Sequence, residues 1–221
     1  MRFGARHRFA EGMTDNYRRV VAAGALVAWP VLLFAAFLTS PPGEEHDPAV
    51  FASMPGQVQV SGLLFLYATL AMIPAYFGLA ALLYPKARGL ANTGLTLGLF
   101  GAAAACTLFT TDFYDLALAQ TVPAETAKQV TAAANELPGF LFGMLFPGFL
   151  THVGTLVLLI GLAVKKAAPW WVPVAVVAGI AVPFAVAGSS PAVQSIGSLL
   201  ELAALGWVAR DLLRTPTRAL A

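Results

Sequence analysis

Apolar residues in this chain run together in long stretches, broken by charges, prolines and polar clusters, instead of recurring at the spacing of a half-buried surface helix. About 20 apolar residues in helical form cross the roughly 30 Å of a bilayer's hydrocarbon. Six stretches fit that length, and the pattern predicts helices over residues 20–39, 58–84, 90–109, 139–164, 170–187 and 192–209. The third ends in a polar cluster, Thr110, Thr111, Asp112, Tyr114 and Asp115, which should meet water or a cavity. Between the third and fourth, Pro123-Ala124-Glu125 opens a helix-compatible stretch that closes at Glu136 before Pro138-Gly139, so a short helix is expected at the membrane interface.

The fold class read from this pattern is an all-α integral membrane bundle of six transmembrane helices, flanked by basic arms at residues 1–19 and 210–221 around a membrane domain at 20–209. Composition supports the bilayer as solvent. Hydrophobic residues make up 58% of the chain and charged ones only 11%, a balance that would leave a soluble 221-residue protein with a greasy surface. The segment around Thr39-Ser40-Pro41-Pro42 lacks a small-residue cleavage signal, so the first helix is read as retained.

Charge then gives an orientation. Twelve of the thirteen Lys and Arg residues fall before the first predicted helix, after the second, after the fourth or after the sixth, which is one side of the membrane if the helix count is even. Lys128 alone lies opposite. The expectation is that both termini are cytoplasmic, in a bacterial inner membrane. The opposite face is acidic, with Glu44, Glu45, Asp47, Asp112, Asp115, Glu125 and Glu136. Membrane lipid is the expected partner, nucleic acid is not, and a homo-oligomer or another membrane protein remains open.

Candidate chemistry centres on Glu201, a carboxylate near the middle of the sixth stretch, where it is costly unless paired, hydrated or protonated. Gln194, Ser198 and Glu201 stand at i, i+4 and i+7 and share one helix face. His152 lies at comparable depth in the fourth stretch, with Thr155 nearby, so His152 and Glu201 form a candidate proton-transfer pair; each satisfying a separate structural group is the alternative. An aromatic-walled ligand cavity is expected from Tyr67, Tyr76, Phe142, Phe146 and Phe149, with Thr111 and Tyr114 at its outer end; ordinary packing is the alternative. Asp112 and Asp115 are weak candidates for a cation, and no cofactor is expected. Three histidines in separate regions, His7, His46 and His152, argue against a bis-histidine haem, and the single Cys106 reads as packing. Gly94 with Gly98 and Gly139 with Gly143 offer close backbone approach, expected within the bundle rather than between chains.

Ser40-Pro41-Pro42-Gly43-Glu44 after the first helix and Ala81-Leu82-Leu83-Tyr84-Pro85 closing the second give the chain a layout that resembles a diffuse family of small bacterial polytopic membrane proteins. That likeness implies membrane placement and six helices, and it carries no activity. Membrane terpene cyclases are similar in size and hydrophobicity, but their acidic motifs have no counterpart here. The functions left open are binding of a hydrophobic or lipid-like molecule in an outward-facing cavity, an acid/base isomerase or cyclase acting on an apolar substrate, and a proton-coupled transporter or accessory subunit.

Overall fold

The computed structural model describes residues 3–42, 47–187 and 189–214, with side chains from residue 16 onward. Among these residues the chain is entirely helical, without strands. Eight helices follow in order: α1 (Phe3–Thr39), α2 (Pro48–Ser53), α3 (Pro55–Leu83), α4 (Arg88–Thr121), α5 (Ala124–Asn135), α6 (Pro138–Val164), α7 (Trp171–Ala185) and α8 (Pro191–Arg214). Five of them, α1, α3, α4, α6 and α8, are long and apolar enough to cross a membrane; α7, at 15 residues, is apolar but shorter.

Local chemistry explains the boundaries. Asp47 caps α2 by accepting a hydrogen bond from the Ala49 amide at 2.9 Å, and Pro48 occupies the first helical position, where a missing amide hydrogen costs nothing. Proline also shapes α6. Pro147 cannot donate to the helical ladder, and the turn just before it, Leu141–Leu145, widens to a π-helix before regular α-structure resumes over Leu150–Val164. The end of α6 closes with the paired bonds of a Schellman motif, Ala167 N to Leu162 O at 2.8 Å and Lys166 N to Ala163 O at 3.0 Å. The left-handed position of that motif, normally glycine, is Lys166 at φ 54°, which costs on the order of 1 kcal/mol.

The long helices pack in a closed circuit, α1 to α3, α3 to α4, α4 to α6, α6 to α7, α7 to α8 and α8 back to α1. The contact between α6 and α7 is the slimmest link. Glycines set the closest approaches. A Cβ on Gly94 would lie 2.6 Å from Leu158 Cγ, and one on Gly154 would lie 2.6 Å from Gly98 Cα, so α4 and α6 touch backbone to backbone. The Gly94/Gly98 pair is therefore an internal seam, as its spacing suggested. Gly139 and Gly143 have nothing within 4 Å of where a Cβ would stand, which corrects the expectation that they too pack within the bundle.

The core is dominated by alanine and leucine, with Trp29, Leu79, Leu83, Leu158, Leu159 and Leu205 fully enclosed. Toward the acidic end, Phe65 packs edge-on against Phe37 and stacks on Phe109, each at 5.0 Å between ring centres, and so ties α1, α3 and α4 together. With 34 residues, α4 is roughly 50 Å long and outreaches the hydrocarbon, which accounts for its polar end. That end remains helical to Thr121, three turns beyond the apolar run. Against it packs α5, the short helix expected between Pro123 and Glu136.

Candidate functional site

Four helices converge on a polar cluster in the otherwise apolar interior. Tyr76 of α3 is fully buried, and its hydroxyl lies 3.0 Å from the Thr151 carbonyl and 3.1 Å from Thr155 Oγ1, both on α6. Thr155 in turn donates to the Thr151 carbonyl at 2.7 Å. Room for the tyrosine ring comes from Gly98 on α4, where a Cβ would sit 2.9 Å from ring carbon Cε1. On the other side Trp29 of α1 lies tilted against Tyr76, with ring centres 6.1 Å apart.

Glu201 enters the cluster from α8. It is 3% exposed, and Ser198 one turn earlier is 1% exposed. Gly179 makes space for it, and Gly179 and Gly197 let α7 and α8 approach closely. A Cβ on Gly179 of α7 would meet Glu201 Cγ at 2.6 Å and the Gly197 carbonyl at 2.7 Å. Three buried polar atoms in this region have no hydrogen-bond partner: Glu201 Oε2, Ser198 Oγ and Trp29 Nε1. Folded proteins rarely leave such atoms unpaired, because each unsatisfied group forfeits about 1–3 kcal/mol.

His152 lies elsewhere on α6. Its ring is 6.2 Å from that of Phe149, and among the described residues no hydrogen bond or ion pair joins it to Glu201. The residue that α6 turns toward the acid's neighbourhood is Thr155, through Tyr76. Gln194 is also apart from the cluster, donating to the Ser189 carbonyl at 3.1 Å. Of the expected polar stripe, Ser198 and Glu201 therefore face the interior together.

Of the five aromatics expected to wall a cavity, Tyr76 is buried in the cluster and the other four face outward from the bundle. Phe142 is 70% exposed, and Phe146, Phe149 and Tyr67 are also exposed; Phe142 and Phe146 pack on each other along the outer surface of α6 at 5.5 Å. Tyr114 is exposed at the far end of α4, and the Thr111 hydroxyl is used within its own helix, donating to the Leu108 carbonyl at 2.7 Å. Asp115 accepts from Thr131 Oγ1 at 3.2 Å and thereby fastens α5 to α4. Asp112 borders Gly62 of α3, where a Cβ would lie 3.4 Å from Oδ2. Among the described residues no group of three or more His, Cys, Asp and Glu side chains gathers into a metal-binding arrangement. Glu44, Glu45 and His46 lie outside the described residues.

Trp29, Thr151 and the glycine socket at Gly179 are residues of the cluster that the sequence pattern did not single out, and Gly98 was expected only as a packing residue. The signal for them is slight: Trp29 is the single tryptophan of the first apolar stretch, and Thr151 and Thr155 stand one helical turn apart. No protein-family model, curated protein or solved structure matches the chain. Fold and site together define an all-helical chain with five helices long and apolar enough to cross a membrane and a buried acid, Glu201, on the last of them.

Proposed function

We propose that this is a six-span inner-membrane protein whose Glu201–Tyr76 cluster binds and releases protons, serving as the acid centre of a proton-coupled transporter. The observation that carries the reading is a buried mid-span carboxylate with an unpartnered oxygen, in a bundle whose interior also holds Tyr76, hydrogen-bonded to the neighbouring helix α6. A carboxyl at this depth is retained at a cost to folding, and ion routes are the common reason for it. Tyr76, Thr155 and Ser198 supply hydroxyls that both donate and accept, which is what a proton needs to leave the acid by short steps. The cluster is sealed, so exchange with water requires the helices to part.

In this reading α7 is the sixth crossing. Its 15 helical residues measure about 22 Å, which a locally thinned bilayer accommodates, and an even count leaves Lys128 as the one basic residue on the outer face. Both termini are then cytoplasmic.

The test is proton flux. Purified protein is reconstituted into liposomes holding a pH-sensitive dye, and a potassium diffusion potential is applied. Wild-type protein should acidify the lumen faster than protein-free liposomes, and Glu201→Gln, which keeps shape while removing charge, should abolish the difference. Flux equal in wild type and Glu201→Gln, or no wild-type flux at all, refutes the proposal.

A further inference from the structure

At the basic end of the bundle a cavity of about 440 Å³ opens where α6 passes into α7. Its lining includes Lys166, Pro169, Trp170 and Trp207. A smaller cavity of about 50 Å³ shares Trp207 and adds Arg210, Asp211 and Arg214. Both border Trp207, and together their linings carry three cationic side chains and one carboxylate. Trp171 packs edge-on against Trp207 at 6.4 Å between ring centres and fixes that indole in place.

From these linings we infer a binding site for the headgroup of an anionic phospholipid. Three features converge on that occupant. First, the net charge of the lining is positive, which complements a phosphodiester and not a zwitterion. Second, Trp170 and Trp171 are exposed and Trp207 is partly so, the placement tryptophan takes at the level of lipid headgroups. Third, Lys166 occupies the left-handed position of the α6 cap, where glycine is the residue without strain. A lysine kept there at a cost to stability points to use of its ammonium group. The apolar flank of α7 beyond Trp170, including exposed Val174 and Val177, gives the acyl chain a surface to follow.

This site is independent of the proton reading, and its test does not involve flux. Protein is placed in phosphatidylcholine vesicles containing a fixed fraction of either phosphatidylglycerol or phosphatidylcholine with brominated chains, and quenching of tryptophan fluorescence is compared at matched ionic strength. Brominated phosphatidylglycerol should quench more strongly. Each cation removed should lower the preference by about fivefold, in Lys166→Gly and further in the Lys166→Gly/Arg210→Gln double variant. Lys166→Gly also provides the folding control, because glycine relieves the cap and should raise Tm while weakening lipid selectivity. Equal quenching by the two lipids in wild type overturns the site, as does selectivity unchanged in both variants. Displacement of the lipid by inorganic phosphate would assign the site to a soluble anion and overturn the lipid assignment.

Discussion

Replacing Gly154 with alanine tests whether the site depends on the seam between α4 and α6. The added methyl would stand 2.6 Å from Gly98 Cα and 2.8 Å from the Gly94 carbonyl oxygen, and both are backbone atoms that cannot rotate aside. Ordinary carbon contacts begin at about 3.5 Å, so the helices must part by about 1 Å. Overpacking of this kind costs about 1–3 kcal/mol. The Tyr76 hydroxyl, now 3.0 Å from the Thr151 carbonyl and 3.1 Å from Thr155, would drift toward the limit of hydrogen bonding, adding about 1 kcal/mol for each bond lost. A total loss of about 2–5 kcal/mol is expected. The control is Gly143→Ala, where nothing lies within 4 Å and the change should stay within about 0.5 kcal/mol. Reversible unfolding in mixed micelles, following helix content against mole fraction of denaturing detergent, measures both. Equal stability of the two variants would refute the reasoning, since it would mean that the backbone contact between α4 and α6 does not exist in the membrane.

Other consequences follow from the same geometry. Tyr76→Phe should cost about 1 kcal/mol in the same unfolding assay and slow proton flux; with Thr155→Val the losses should be non-additive, because the two hydroxyls share one bond. Ser198→Ala removes a buried hydroxyl that has no partner, so stability should hold or rise while flux falls, and a large loss of stability would show Ser198 to be structural. For topology, single cysteines at Arg18, Lys128 and Arg214 in a Cys106→Ala background should react with an impermeant maleimide so that the first and third agree and the second differs. Disagreement between the two ends would remove α7 from the crossing helices.

Most of the scaffold was legible because membrane helices announce themselves by length and apolarity. The expected ranges 58–84 and 139–164 fall within three residues of α3 and α6 at each end. The excess of α4 beyond Phe109 was not, since helical geometry continues through Thr110–Thr121 after the apolar signal stops. Nor was α2, six residues long and marked only by Asp47-Pro48. For the site, Glu201 and Ser198 could be found because charge and hydroxyl at that depth are conspicuous in an apolar helix. The surroundings of Glu201 could not. Several polar residues sit at similar depth, and which of them meet is decided by packing: Gly98 admits the Tyr76 ring, and Gly179 admits Glu201. Hydropathy also assigns no inward direction to aromatics, since phenylalanine is equally at home against lipid and against protein, and so Phe142 and Phe146 carried no sign of facing out.

The π-helical turn at Leu141–Leu145 acts as a phase shifter. One surplus residue rotates everything upstream of it by about 100° relative to a regular helix. Excising Met144 would remove the surplus and swing Phe142 around the axis while leaving Thr151 and Thr155 where they are. The same side chains would then present a different outer surface to whatever surrounds the bundle, with the interior chemistry untouched.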